Sequence, residues 1–256
     1  MSTFQVPEES RREPVRAPIP VLPGYYGDER DRRHFLRDLF DGNARDYDYV
    51  ERLLAFGSGA WYRRHALLRA GLAPGMHVLD VATGTGLVAR EAIDIVGAQG
   101  SVIGLDPSAG MLAEAHRQLP LSLVRGRGEH LPLRDASFDF VSMGFALRHV
   151  TDLDALFGEF HRVLKPGGSL CVLEISRPRQ RLLAEPLRIF MTRVVPAVAR
   201  LGRKSSDTQR MMDFYWDTID ACVPPEEVLA ALAQSGFDSP RRVLSLGMFS
   251  EYVAGR

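Results

Sequence analysis

The chain has 256 residues, and its 32 basic residues balance 32 acidic ones, so its formal net charge at pH 7 is zero. A balanced charge offers a polyanion no general field, and we expect no nucleic-acid partner. The two cysteines, Cys171 and Cys222, lack metal-ligand spacing and are interpreted as reduced thiols in a protein without a metal site. No apolar run approaches the ~20 residues of a membrane span, which favours a cytoplasmic protein.

The N-terminal segment, residues 1–24, combines charges and prolines with little apolar surface, and we expect it to be disordered. Residues 25–256 are predicted to form one domain. Its first part, 29–70, has apolar residues at helical spacing and is predicted to be a helical cap.

From Met76 onward strands and helices alternate, which is the pattern of a parallel sheet covered on both faces. The predicted strands are 77–82, 101–105, 121–125, 138–143 and 169–175. The predicted helices are 86–96, 108–118, 152–164 and 226–235. The tail favours two more strands with a turn near Gly247. We therefore predict an α/β fold: a Rossmann-like, mostly parallel seven-stranded sheet that ends in an antiparallel hairpin.

Residues 177–213 form a basic insertion after the fifth predicted strand, with nine basic residues against three acidic ones and apolar residues between them. Ligands bind at the carboxyl side of such sheets, so the segment is predicted to be a helical lid, which could also touch anionic lipid. The alternative is a helical pair packed on the core with solvated arginines.

The stretch VLDVATGTGLVAR, residues 78–90, has the pattern of a strand, a glycine turn and the first turn of a helix. Nucleotide-shaped ligands bind at such a turn. Gly84, Thr85 and Gly86 would let the backbone approach the ligand, and a side chain at either glycine would collide with it. The spacing to Asp106 also fits a dinucleotide fingerprint, so this stretch alone does not choose the ligand.

Asp80 distinguishes between two possible ligands, S-adenosylmethionine and NAD. A carboxylate at the end of a buried strand is costly unless it has partners, which glycine-loop amides and a ligand ammonium would supply. S-adenosylmethionine has such an ammonium beside its sulfonium, whereas the pyrophosphate of NAD would be repelled. Asp80 therefore favours S-adenosylmethionine, and the other interpretation is a carboxylate that only caps the loop.

Asp106 ends the second strand, where an acid would accept from both ribose hydroxyls of the cofactor. The alternative is a helix N-cap, a role that Ser108 could fill instead. Met111 follows one turn into the helix and would pack on the adenine or serve as plain core. Arg148 and His149 follow the fourth strand, at the rim where the methyl acceptor should lie.

The blocks FDGNARDYDYVERLLAFGSGAWYRRHALLRAGLAPGMHVLDVATGTG and GFALRHVTDLDALFGEFHRVLKPGGSLCVLEISRP resemble class I S-adenosylmethionine-dependent methyltransferases. The match is closer to the ubiquinone/menaquinone-biosynthesis C-methyltransferases and runs from Phe40 to the C-terminus. The resemblance implies a small-molecule acceptor of quinol type, with Tyr47, Arg148 and His149 in substrate handling. The full predicted cofactor set is Asp80, Thr83, Gly84, Thr85, Gly86, Asp106, Met111, Arg127, Gly128 and Gly144.

The chain departs from that family at three places. Arg127 stands where the family has an Asp or Asn that accepts from the adenine amino group, and arginine cannot accept. His149 replaces an Asn. Residues 218–223 lack a Glu-Ser pair and an Arg-x-His, so polar groups expected to face the acceptor are replaced.

The resulting hypothesis is methyl transfer to an electron-rich ring carbon. His149 would act as the base, since its ordinary pKa of about 6.5 suits neutral pH. Arg148 would stabilise an oxyanion and Tyr47 would orient a hydroxyl. The alternatives are an O- or N-methyltransferase for another small or lipid-like acceptor, and a cofactor-binding scaffold without turnover. A homodimer is left open.

Overall fold

A computed structural model describes residues 15–178, 181–201 and 208–256. They contain a seven-stranded sheet of order β3-β2-β1-β4-β5-β7-β6. The strands are β1 (His77–Val81), β2 (Ser101–Asp106), β3 (Ser122–Arg125), β4 (Phe138–Gly144), β5 (Leu164–Ile175), β6 (Asp238–Ser245) and β7 (Phe249–Gly255). The first five are parallel, and β6 and β7 form the antiparallel hairpin at one edge. The predicted fold class is confirmed.

The interior strand β1 is buried at four of its five positions, as expected for a parallel strand covered on both faces. Its register places Val81 beside Leu105 of β2 and Met143 of β4. The chain crosses from β2 and β3 on one side of β1 to β4 and β5 on the other. The carboxyl ends of β1, β2 and β4 therefore meet at a topological switch point, where such sheets bind ligands.

Helices cover both faces of the sheet. They are α1 (Glu29–Leu54), α2 (Gly59–Arg69), α3 (Leu87–Val96), α4 (Ala109–Gln118), α5 (Leu153–Val163), α6 (Arg181–Ile189), α7 (Val195–Leu201), α8 (Thr208–Ala221) and α9 (Pro225–Gln234). A π-helical turn, Phe190–Val194, joins α6 to α7. One core includes residues of α5 and α9, a second those of α2 and α3, and a third joins α1 to the helices from α6 to α8. None of the described helices is long and apolar enough to cross a bilayer.

The expected disorder of residues 1–24 does not hold for 15–24, while 1–14 lie outside the described residues. Ile19 is buried. The carbonyl of Arg16 accepts from Leu153 N at 2.9 Å, and that of Pro18 accepts from Val223 N at 2.9 Å. These bonds fix the segment to α5 and to the loop before α9.

The fifth strand begins earlier than predicted, because Leu164 already pairs with Phe138 before the chain bulges and pairing resumes at Ser169. Gly167 has φ +80° within this bulge. The ammonium of Lys165 donates to Asp139 at 2.7 Å and fixes the irregular part to β4.

Candidate functional site

A cavity of about 360 Å³ opens at the carboxyl ends of β1, β2 and β4. Its floor comes from the turns after these strands, and its opposite wall comes largely from α1, from Glu29 to Tyr47. Of the predicted site residues, those that line it are Tyr47, Gly84, Asp106, Met111, Arg127, Gly128, Gly144 and His149. The structure thus brings together residues from across more than half of the chain.

Both glycines of the turn after β1, Gly84 and Gly86, have positive φ, but their surroundings differ. Gly84 has φ +57° and lines the cavity, with open space where a Cβ would point. Gly86 has φ +90°, and a Cβ on it would lie 2.5 Å from Leu119 Cδ1. The expected collision at Gly86 is therefore with the protein itself. Of the two glycines, Gly84 is the one that faces the cavity.

Asp106 ends β2 at the cavity with a carboxylate that is almost completely buried. It accepts from Gly84 N at 2.9 Å and from Ser108 N at 2.8 Å. Burial raises the pKa of Asp106 to about 6, against the opposing effect of the two amides. Ser108 itself caps α4, because its Oγ accepts from Met111 N at 3.0 Å. The N-cap of α4 is therefore Ser108 and not Asp106.

Asp80 and Thr83 lie behind the cavity wall rather than in its lining. The Asp80 carboxylate accepts from Thr83 Oγ1 at 2.6 Å and from Ser142 Oγ at 2.7 Å. Burial raises its pKa to about 6 despite these two bonds. The expectation that glycine-loop amides hold Asp80 is wrong in this respect: the Gly84 amide donates to Asp106, and Asp80 is held by two hydroxyls and by the Ala89 amide of α3.

Thr85 also has a different neighbour from the one expected. Its hydroxyl donates to the Asp48 carboxylate of α1 at 2.5 Å, and Thr85 is buried outside the cavity lining. Asp41, two helical turns earlier on α1, accepts from Gly110 N at 2.9 Å. These contacts fasten α1 to the turns after β1 and β2.

The predicted adenine end contains Met111, which is buried, and the pair Arg127 and Gly128 after β3. The Arg127 guanidinium donates to Glu129 Oε1 and to Thr151 Oγ1, each at 3.1 Å. These bonds turn the Arg127 side chain toward the loop after β4. Because a guanidinium has only donors, Arg127 offers the adenine amino group no acceptor.

The other end of the cavity is aromatic, with His149 at its centre. The His149 ring stacks on Phe214 at 5.6 Å between centroids and meets Phe40 edge-on at 5.3 Å. Its Nδ1 is buried without a hydrogen-bond partner. Burial, reinforced by the positive charges of Arg148 and Arg32, holds the pKa of His149 well below its usual range. The ring is therefore neutral at physiological pH.

Two tyrosine hydroxyls meet at this end. Tyr215 of α8 donates to the hydroxyl of Tyr47 of α1 at 3.3 Å, and both residues line the cavity. Burial raises the pKa of each phenol, so both stay protonated near neutral pH. Phe40 and Tyr215 were not among the predicted site residues. Phe40 opens the block of family resemblance, and that position was its only sequence signal.

Arg148 lies outside the cavity lining, in contrast to its sequence neighbour His149. Its guanidinium forms a buried ion pair with Glu174 of β5, and its Nε donates to Thr218 Oγ1 at 3.3 Å. The expected oxyanion contact has no support in this placement. Residues 218–223, where the sequence departs from the family, likewise contribute no described residue to the lining.

The helix that faces the strand ends across the cavity is mainly α1, whereas 177–213 had been predicted to cover the site as a lid. Among the described residues that line the cavity, none belongs to 177–213, whereas seven belong to α1. The insertion packs its buried side chains, such as Met191 and Val195, into the core shared with α1 and α8. It therefore supports the helix that forms the wall, which is close to the alternative of a helical pair on the core.

The sheet order, the glycine turn after β1 and the buried acid at the end of β2 define a class I methyltransferase. A family model described as "ubiE/COQ5 methyltransferase family" matches residues 27–247. The chain belongs to the ubiE/COQ5 methyltransferase family.

The chain is 32% identical over 223 residues to the ubiquinone/menaquinone biosynthesis C-methyltransferase UbiE of Shewanella frigidimarina (strain NCIMB 400), covering 84% of this chain and 88% of the relative. A SAM-dependent methyltransferase from Aquifex aeolicus is similar in structure, with TM-score 0.61, 20% identity and coverage of 84% and 97%. Phosphoethanolamine N-methyltransferase 2 of Haemonchus contortus, solved with S-adenosyl-L-methionine, gives TM-score 0.61 at 17% identity, over 88% of this chain and 60% of that one. At these identities the two structures show the shared fold.

Proposed function

We propose that the protein transfers a methyl group from S-adenosylmethionine to a ring carbon of a quinol-type acceptor. The observation that carries the proposal is a single cavity with the Asp106 carboxylate at one end and Tyr47, Tyr215 and His149 at the other. The name of the Shewanella relative, a quinone-biosynthesis C-methyltransferase, supports the same reaction.

The residues at the strand ends fit the cofactor. Asp106 uses two amides of the protein, and a carboxylate has about four lone-pair sites, so it can still accept from both ribose hydroxyls. Gly84 leaves open space beside it. Met111 and Gly128 would contact the adenine, with Arg127 at its edge. When bound, S-adenosylmethionine supplies an electrophilic methyl group on a sulfonium.

Asp80, Thr83 and Thr85 support the cofactor from behind the wall in this proposal. Asp80 holds the turn through Thr83, and its buried carboxylate adds negative potential where an ammonium group would lie. Thr85 fixes the same turn to α1 through Asp48. Gly144 leaves room for Val88 of α3 at the end of β4, since a Cβ there would lie 2.5 Å from Val88 Cγ2.

The acceptor end suits a flat phenolic ring. Phe40, Phe145 and Tyr215 give aromatic walls, and Tyr47 brings a hydroxyl into the cavity. Because the Tyr47 oxygen accepts from Tyr215, its own hydrogen can be donated to an oxygen of the acceptor. This bond would orient the ring and stabilise a developing phenolate.

His149 is the base in this proposal: it takes the proton of the acceptor's phenolic hydroxyl, and the proton on the methylated ring carbon is lost afterwards to solvent. A neutral imidazole has one nitrogen that accepts a proton, and the ring already faces the cavity. Its lowered pKa differs from the ordinary value expected from the sequence and makes proton acceptance less favourable, but it keeps the accepting form fully populated. Arg148 is reassigned as a positioning residue that holds the turn after β4 through Glu174.

Two finer points belong to the same proposal. Residues 25–256 act as one methyltransferase domain, and 177–213 touch anionic lipid through exposed arginines such as Arg188, Arg193 and Arg200. A homodimer stays a prediction.

The test is calorimetric titration with S-adenosylmethionine and S-adenosylhomocysteine, followed by NMR of the product formed from candidate quinols and phenols. Micromolar cofactor binding and a new methyl–carbon bond are expected. A methyl group on oxygen or nitrogen would replace C-methylation by the heteroatom alternative. Cofactor binding without methyl transfer to any acceptor would favour the scaffold alternative, and no cofactor binding by the wild type would contradict the proposal.

A further inference from the structure

The helical segment from α6 to α7 has two apolar faces. One is buried in the core shared with α1 and α8 and includes Ala184, Met191 and Val195. The other faces solvent and carries Ile189, Val194, Val198 and Leu201. A surface helix usually presents polar residues on its outer face, because contiguous exposed apolar surface is unfavourable in water and commonly marks an interaction site. The exposed apolar face therefore indicates an interaction site.

Phe56 extends this face from another part of the chain. It follows the last turn of α1, and 82% of it is exposed. One side of its ring stacks on Phe190 of the π-helical turn, with centroids 5.0 Å apart and planes at 18°. The contact places an aromatic ring next to the exposed aliphatic residues and leaves its other side open to solvent.

The charges around this face are mainly positive. Arg188, Arg193 and Arg200 are all exposed on the same helical segment, and the described acid of that segment, Glu185, is paired with Arg188. A basic helix with an exposed apolar stripe is typical of a segment that lies on an anionic lipid surface. A partner with a positively charged surface would be repelled by these arginines.

We propose that a docking surface formed by Phe56, Val194, Val198, Leu201, Arg193 and Arg200 binds an anionic phospholipid bilayer. The apolar side chains would enter the headgroup region, and the arginines would contact lipid phosphates. The proposal rests on the proposed function only for its purpose, which is to bring the cavity to an acceptor held in the bilayer.

Vesicle co-sedimentation of the full chain tests it. Vesicles of phosphatidylcholine alone are compared with vesicles that also contain phosphatidylglycerol. Binding is expected only with the anionic lipid, and it should weaken as salt is raised. The double substitution Phe56→Ser/Leu201→Ser should weaken binding at least about tenfold. Arg193→Gln and Arg200→Gln should each weaken it about fivefold.

The matched control is Val15→Ser. Val15 is 64% exposed and lies beside Arg16, whose carbonyl is bonded to Leu153 of α5, on a different part of the molecule. Its substitution should leave vesicle binding unchanged. Since Phe56 and Leu201 are both more than four-fifths exposed, their replacement should not affect folding.

The absence of binding to anionic vesicles would overturn the proposal, as would an equal loss with Val15→Ser. So would a change from dimer to monomer in sedimentation equilibrium when Phe56 and Leu201 are replaced, because the face would then be a contact between two copies. Vesicle binding is measured without cofactor or acceptor. Failure of methyl transfer to a water-soluble quinol with intact vesicle binding would overturn the proposed methyl transfer and leave the docking surface standing.

Discussion

The hydroxyl of Tyr215 donates to the hydroxyl of Tyr47 across 3.3 Å, although the two residues are 168 positions apart in the chain. α8 brings one and α1 the other, and both rings face the cavity. A hydroxyl that accepts one hydrogen bond becomes a better donor, because neighbouring bonds polarise each other. The pair therefore fixes where the Tyr47 hydrogen can go.

Tyr215→Phe should lower kcat/KM by about threefold to tenfold, the usual effect of one hydrogen bond. Tyr47→Phe should lower kcat/KM further, since it removes the hydroxyl proposed to bind the acceptor. The double variant should be no worse than Tyr47→Phe alone. Tyr26→Phe is the control, because the Tyr26 hydroxyl is buried without a partner and lies away from the cavity lining. Additive losses in the double variant would contradict the coupling.

Asp106→Asn should weaken S-adenosylmethionine binding by about tenfold to a hundredfold, because hydrogen bonds to a charged acceptor contribute about 1.5–3 kcal/mol. Isothermal titration calorimetry measures this directly. The control is Asp94→Asn on the exposed side of α3, which should leave the affinity unchanged. Wild-type affinity in Asp106→Asn would remove Asp106 from the cofactor site.

Asp80 should make the stability of the cofactor-free protein depend on pH. Its folded pKa, about 6, lies above the ordinary value near 3.9, so folding favours the protonated form. The stability it contributes is present below about pH 4 and is lost as the pH rises through 6, by about 3 kcal/mol. Asp80→Asn should therefore raise the free energy of unfolding at pH 8 and change it little at pH 4, as measured by urea denaturation.

The control for Asp80 is Asp139, whose pKa is shifted in the opposite direction. Burial tends to raise the pKa of Asp139, but the Lys165 ammonium and the His77 amide outweigh it, so the pKa is lowered. Asp139→Asn should therefore destabilise the protein at neutral pH. Equal effects of Asp80→Asn at both pH values would contradict the linkage.

His149→Ala should lower kcat by about a hundredfold or more, the usual contribution of a general base. Because its pKa is lowered well below 6.5, the wild-type rate should show no titration step at 6.5 between pH 8 and 6. The measurement is a pH–rate profile at saturating substrates, with the exposed His116→Ala as control. Unchanged turnover of His149→Ala at every pH would exclude His149 as the base.

Glu174→Gln should lower the free energy of unfolding by about 3–5 kcal/mol, because it leaves the buried Arg148 charge without its counterion. The affinity for cofactor should be retained. Glu185→Gln breaks an exposed pair with Arg188 and should cost less than about 1 kcal/mol. A large loss of kcat without loss of stability would return Arg148 to direct contact with the acceptor.

Local sequence patterns were enough to predict most of the sheet. The apolar run of β1 and the turn at Gly247 each signal their structure within a few residues. The misassigned segment 15–24 depends on distant partners, since Arg16 and Pro18 bond to residues more than 130 positions away. No local pattern carries that information.

The site was predictable where a strand end determined it. Asp106 and Gly84 follow from the rule that ligands bind at the carboxyl ends of parallel strands. Tyr215 was missed because only the packing of α8 against α1 brings it to the cavity. Arg148 was misplaced because adjacent residues in the short turn Leu147–His149 point in different directions, one toward Glu174 and one into the cavity.

α1 is held to three turns at the strand ends. Arg32 donates to the carbonyl of Val150 at 2.8 Å, Asp41 accepts from Gly110 N, and Asp48 accepts from Thr85. This helix lines the cavity from Glu29 to Tyr47. Displacing it would break all three contacts together, so in the proposed reaction the acceptor end and the cofactor end would open as one unit.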